Sequence, residues 1–199
     1  MKICLTIIIS IAFTGCGTYL NVRYGVGRPR EVTPETLKSF LHKNHFPADN
    51  QYFIADSACY GQLMRDPVFR KNLFSHLIFN REGSLLQRDT SQCQWAGGDV
   101  ISQLVPDTGS NGSGSFRLDK IMDRIVPLGA GEVVQMNADP DFTLVVVWAE
   151  FLGKYNYRLF DLEKAVRRNS TARIRLIWLN VDMMKSWQLS GSQKMTFRK

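Results

Sequence analysis

The sequence predicts an α/β domain, and three stretches carry that prediction. Residues 142–148 (Phe-Thr-Leu-Val-Val-Val-Trp) and 174–181 (Ile-Arg-Leu-Ile-Trp-Leu-Asn-Val) are short, nearly unbroken apolar runs. That is the pattern of strands buried on both faces of a sheet. Between them Leu152, Tyr155, Leu159, Leu162 and Val166 recur at three- and four-residue steps. This stripe predicts an amphipathic helix from about Gly153 to Arg168. Strand, helix and strand over about 40 residues form a βαβ unit, with parallel strands and a right-handed crossover expected.

At the start of the chain, Lys2 supplies a positive charge and residues 5–14 form an apolar run of ten. A stable membrane-spanning helix needs roughly 20 apolar residues. A secretory signal uses about 7–15. The run ends in Phe13-Thr14-Gly15-Cys16, which resembles the bacterial lipobox, with Phe13 where Leu is commonest. The resemblance implies cleavage before Cys16, a diacylglycerol on its thiol, and acylation of the new N-terminus by a palmitate-like chain. Several acyl chains hold a protein at a membrane far better than one. Gly17 follows the cysteine, so the Asp associated with inner-membrane retention is absent, as is an acidic cluster. Both features favour the periplasmic face of the outer membrane of a Gram-negative bacterium. The chain thus divides into a signal peptide (1–15), a lipid-anchored tether (16–33) and a single domain (34–199). The mature chain would hold 184 residues (199 less 15), enough for one core of ordinary size.

The formal charge of +7 falls to +6 when Lys2 leaves with the signal. A basic chain can favour nucleic acid or anionic lipid, but export argues against nucleic acid. The densest basic set, Lys164, Arg167, Arg168, Arg173 and Arg175, spans a helix end and a strand and reads as a solvated face. Of four cysteines, Cys4 lies in the signal and Cys16 in the lipobox. Cys59 and Cys93 remain, and an oxidising compartment permits either a disulfide or two thiols.

Residues 17–33 carry Gly17, Gly25, Gly27 and Pro29 with little periodicity, as a tether would. A first helix is predicted from Thr33, a good N-cap, followed by Pro34 and Glu35. Leu37, Phe40 and Leu41 line its apolar side, and it should end near Asn44. Residues 52–55 read as a short strand, and Asp56 or Ser57 can cap a helix bearing Cys59. Pro67 starts another helical turn running to about Phe74. Residues 76–79 (His-Leu-Ile-Phe) form a strand, Asn80-Arg81-Glu82-Gly83 a turn, and residues 84–87 a returning partner. Residues 105–115 and 129–141 are loops rich in turn-forming residues, and 117–126 looks helical through Leu118, Ile121, Met122 and Ile125.

Residues 144–155 read Leu-Val-Val-Val-Trp-Ala-Glu-Phe-Leu-Gly-Lys-Tyr. This resembles the active-site stretch of thioredoxin-like proteins of the membrane-linked TlpA/ResA kind, where an apolar strand leads into Trp-Ala-x-Trp-Cys-Gly-Pro-Cys and a helix. Trp148, Ala149 and Gly153 match, and Phe151 stands in for an aromatic. Asn180-Val181-Asp182 closing the next strand also fits, so the resemblance covers about 45 residues, 142–187. It implies a thioredoxin-like three-layer sandwich. Leu152 and Tyr155 occupy the positions of the two redox cysteines, and Lys154 that of the Pro. Dithiol exchange needs one thiolate to attack and a second thiol to resolve the mixed disulfide, and neither is present there. In that family a hairpin entered through a cis-Pro follows the βαβ unit, yet only about a dozen residues follow Trp187. Residues 76–87 resemble that hairpin but lie upstream and lack the preceding Pro. A permuted or rearranged sheet is therefore expected, with 76–87 joining 142–148 and 174–181.

The sequence thus leads to a membrane-anchored lipoprotein whose domain binds or scaffolds in the cell envelope without catalysis. Phe151, Leu152, Lys154 and Tyr155 would form either a partner surface at a helix N-terminus or core packing. The alternative is a thiol-disulfide oxidoreductase using a relocated Cys59/Cys93 pair. His42-x-x-His45 lacks the further ligands that zinc wants. Gly129-Ala130-Gly131 lacks a phosphate-loop Lys-Ser/Thr. No cofactor, metal or nucleic acid is expected; the expected partners are the membrane, through the lipid, and an envelope protein.

Overall fold

The computed structural model describes residues 25–86, 97–106, 116–129 and 139–190. Cys16, Cys93 and most of the two long loops lie outside them. The elements are β1 (Glu31–Val32), α1 (Pro34–Lys43), β2 (Gln51–Ile54), α2 (Ser57–Arg65), α3 (Pro67–Lys71), β3 (His76–Asn80), α4 (Gly97–Ser102), α5 (Asp119–Met122) and β4 (Ile125–Pro127). Then follow β5 (Phe142–Trp148), a 3-10 turn (Glu150–Tyr155), α6 (Asn156–Phe160), α7 (Leu162–Arg168), β6 (Ile174–Asn180), β7 (Met183–Met184) and a last 3-10 turn (Lys185–Trp187).

A five-stranded mixed sheet in the order β3-β5-β6-β2-β4 organises the domain. The βαβ unit expected from residues 142–181 is present, with β5 and β6 parallel over seven residue pairs. β6 is also parallel to β2, while β3 and β4 pair antiparallel on the two edges. Residues 76–80 therefore join the strand 142–148, as the upstream-hairpin expectation requires. The hairpin's return is shorter than expected: Phe79–Leu85 and Ser84–Arg117 are isolated bridges rather than a strand. Gly83 makes the turn at φ 74°, a conformation that costs a residue without Cβ little.

Side chains of β5 alternate between two cores, as the pleat dictates. Leu144, Val146 and Trp148 pack with Leu37 and Leu41 of α1, Ile101 of α4 and Phe160 of α6. Val145 and Val147 pack on the opposite face with Leu63 of α2, Phe69 of α3 and Ile121 of α5. α1 starts where its cap predicts: Thr33 Oγ1 accepts from the Thr36 N–H, and Thr36 Oγ1 accepts from the Thr33 N–H at 2.9 Å. Asp56, not Ser57, caps α2, through the Cys59 N–H at 2.7 Å.

Four expectations need correction. The helix predicted for 153–168 starts only at Asn156, after the 3-10 turn, because Gly153 takes φ 53° and ψ −128° and cannot belong to a helix; it is further divided at Asp161 into α6 and α7. The helix predicted for 117–126 is confined to α5, and residues 125–127 turn into the edge strand β4. Ile125 extends the helical stripe in sequence, but pairing with Ile54 holds it in the sheet, and an edge tolerates Pro127. The turn from Pro67 ends at Lys71, capped by Asn72, short of Phe74. The tether does not run free to residue 33: Val32 is buried in the core and β1 pairs parallel with β7. α4 and β7 had no expectation attached to them, being too short to show a period.

Candidate functional site

The parallel strands β2, β6 and β5 all end along one carboxyl-terminal edge of the sheet, distinct from the lateral edges held by β3 and β4. That edge is where open α/β sheets gather their ligands. The chain leaving β2 brings Asp56 and, on α2, Cys59 and Tyr60; the chain leaving β5 brings residues 149–155; the chain leaving β6 brings Asp182 and Trp187. Phe74, at φ 60°, precedes β3 on the same edge, and the Ser75 carbonyl accepts from the Val147 N–H at 2.8 Å. No cis peptide bond occurs among the described residues.

The positions carried over from the family resemblance divide between core and surface. Trp148 is fully buried, and its indole N–H donates to Gln51 Oε1 at 3.1 Å. Leu152 is also buried, among the side chains under α2, which assigns it to packing and removes it from any partner surface. No helix N-terminus forms at Gly153. Instead the buried Asn156 side chain ties the bend, donating to the carbonyls of Ala149 at 2.8 Å and Gly153 at 3.1 Å. Phe151 lies edge-on to Phe74 at 5.6 Å, Tyr155 is half-buried, and Lys154 is exposed.

The side chain at the centre of the edge is Asp182, only 3% exposed. Its Oδ2 accepts from the Glu150 N–H at 2.5 Å and the Asn180 side chain at 2.8 Å. Burial pushes its carboxyl up to about 6, against those hydrogen bonds and with help from the neighbouring Glu150 charge. Tyr60 is pushed up to about 12 by burial and by Asp182, so its hydroxyl keeps its proton at neutral pH. Tyr60 also rests against Trp187, with ring centres 5.5 Å apart.

The chain's own N-terminal segment lies along this edge. The Gly27 N–H donates to the Phe151 carbonyl at 2.6 Å. Arg30 pairs with Glu150, whose side chain is 11% exposed against 70% for Arg30.

A pH dependence follows from Asp182. Its folded pKa lies above its unfolded value near 3.8, so the folded chain binds more protons between about pH 4 and 6. The stability this adds is present below about pH 4 and is lost as pH rises towards 6 and beyond, by at most roughly 3 kcal/mol. In urea unfolding, the stability of Asp182→Asn relative to the parent should therefore rise between pH 4 and pH 7. A difference that stays constant across that range would contradict a titrating carboxyl at this position.

Cys59 carries a free thiol in the first turn of α2 and is half-buried. Burial and then the neighbouring Asp56 carboxylate push that thiol up, so less of it is thiolate at neutral pH and it is a poorer nucleophile. His42 and His45 sit at the end of α1. Among the described residues no three His, Cys, Asp or Glu side chains gather as a metal site, and no helix is long and apolar enough to cross a membrane. Three of the basic set are paired: Lys164 with Asp161, Arg167 with Glu163, Arg173 with Asp141. A cleft of about 500 Å³ lies by these arginines at the opposite end of β6, away from the edge just described.

No family model matches the chain, and neither a curated protein nor a solved structure does. Asp182, Glu150, Tyr60, Trp187 and Arg30 were not legible as a group in the sequence. They stand up to 157 residues apart, Arg30 to Trp187, and share no spacing. A carboxylate directly after a buried strand was the one available signal.

Proposed function

We propose that this chain is a lipid-anchored protein of the bacterial cell envelope whose domain is a rearranged thioredoxin-like sheet, used for binding or scaffolding and not for dithiol exchange. The observation that carries this reading is Leu152, a buried hydrocarbon at the position where such a fold places its attacking sulfur. The strand pattern supports it: three parallel strands (β2, β6, β5) flanked by an antiparallel β3 on the side of β5. That is the arrangement expected of a thioredoxin-like sheet whose hairpin has moved upstream. The lipobox at Phe13-Thr14-Gly15-Cys16 supports the anchor.

The competing oxidoreductase reading needs Cys59 as a reactive thiol, and the raised Cys59 pKa works against it. Reduction of a disulfide substrate such as insulin separates the two. The exported chain should show no turnover above the uncatalysed rate of the reductant. Turnover that persists in Leu152→Ala and disappears in Cys59→Ser or Cys93→Ser would overturn the binding reading.

A further inference from the structure

We propose that the Glu150–Asp182 carboxyl pair is a docking site for an arginine or lysine side chain of a protein partner, and that Arg30 of the chain's own N-terminal segment occupies it as an internal stand-in. This rests on the binding reading above and names the chemistry of the partner.

Donors and charge are both short at this place. Glu150 Oε2 and Asp182 Oδ1 are buried and have no hydrogen-bond partner among the described residues. A buried acceptor left unmet is unfavourable. Two carboxylates lie together here, close enough for Glu150 to raise the Asp182 carboxyl. Arg30 is the one cation that pairs with either of them among the described residues. Water would supply donors but no charge. A guanidinium supplies five donors in one plane together with a positive charge, and an ammonium supplies three.

The pair is also asymmetric in a way that suits exchange. Glu150 is held from behind, its backbone N–H on Asp182 and its side chain 11% exposed, whereas the Arg30 side chain is 70% exposed. Val32, 2% exposed, and the β1–β7 pairing fix the chain just after Arg30. Upstream of Arg30, the Gly27 N–H to the Phe151 carbonyl is the backbone bond that holds this segment to the edge. Arg30 can therefore leave without disturbing the core. Two aromatic pairs lie at the same end of the sheet, Phe151 with Phe74 and Tyr60 with Trp187, and aromatic rings near a cation site favour a positive charge. Trp187 Nε1 is a buried donor without an acceptor among the described residues. It suits a backbone carbonyl of an arriving peptide, which favours a protein segment over a free amine.

The test is a titration of the exported chain with the peptide acetyl-Gly-Arg-Gly-amide, followed by NMR at the Trp187 indole N–H and the Glu150 and Phe151 amides. Arg30→Gln removes the internal competitor and should bind the peptide roughly tenfold more tightly than the parent. Arg30→Lys should bind like the parent. Glu150→Gln added to Arg30→Gln should abolish the gain, its amide spectrum confirming the fold; Asp182→Asn added instead gives a second reading should that variant unfold. Equal affinity of parent and Arg30→Gln, or equal response to acetyl-Gly-Gln-Gly-amide, would overturn the proposal. Failure of peptide binding in a chain without disulfide turnover removes this site and leaves the non-catalytic reading standing. Disulfide turnover removes that reading whatever the peptide does.

Discussion

Replacing Cys16 by Ser is expected to move the chain from the membrane pellet to the soluble periplasmic fraction and to abolish its incorporation of labelled palmitate. A hydroxyl cannot take the diacylglycerol that the lipobox resemblance assigns to the Cys16 thiol. Each buried methylene of an acyl chain contributes about 0.8 kcal/mol to membrane binding, so losing all the chains removes the anchor altogether. Among the described residues no helix is long and apolar enough to span a bilayer. Cys59→Ser is the matched control and should leave both fractionation and labelling unchanged, because Cys59 lies on α2 inside the domain. A Cys16→Ser chain that still sediments with membranes and still carries palmitate would remove the lipoprotein reading.

Trp148→Ala is expected to destabilise the domain by about 3–5 kcal/mol. Folded domains are stable by only about 5–15 kcal/mol, so this change alone brings the chain near the point of unfolding. Three effects add. The indole is fully buried at the end of the interior strand β5, stacked on Phe40 at 6.0 Å and packed against Phe160 at 5.7 Å, so its removal opens a cavity between sheet and helices. Gln51, itself 4% exposed, loses the donor to its Oε1 and becomes a buried unmet acceptor, which is costly in itself. The void also lies beside the bend at residues 149–155, so the candidate site should loosen together with the core. The midpoint of urea unfolding measures the loss. Trp148→Phe should recover most of the packing but not the hydrogen bond. Lys164→Ala, which removes only an exposed pair with Asp161, should change stability by less than about 1 kcal/mol. A loss below about 1 kcal/mol in Trp148→Ala would mean that this contact does not hold the layers together.

Long periodic or capped segments are legible in the amino-acid sequence alone. The runs at 142–148 and 174–181 are apolar on both faces but for Thr143, Arg175 and Asn180, the pattern of strands inside a sheet, and they pair in parallel over seven residues. Thr33-Pro34-Glu35 and Asp66-Pro67 announce helix starts because a cap and an N1 proline act locally, within one turn. The turn after residues 76–80 is legible through its own chemistry, but their placement in the sheet with 142–148 is expected only from the resemblance to a thioredoxin-like hairpin, and the fold shows the pairing. Short elements are not legible. β4 has three residues and β7 two, and segments that short have no period of their own. They become strands only because β2 and β1 offer them a partner.

The candidate site divides in the same way. The sequence by itself determined that residues 152 and 155 carry no sulfur, and it placed an acylatable cysteine behind an export-type apolar run. Both statements concern covalent composition, which no fold can alter. Only the tertiary structure decided that Leu152 belongs to the core, that residues 149–155 bend at Gly153 instead of starting a helix, and that Arg30, Glu150 and Asp182 meet. The physical reason is the range of the forces involved. Caps and periodicity act between residues three or four apart. Burial of a carboxylate, the rise of the Asp182 pKa and the pairing of Arg30 with Glu150 depend on distances in space between segments that only the folded sheet brings together.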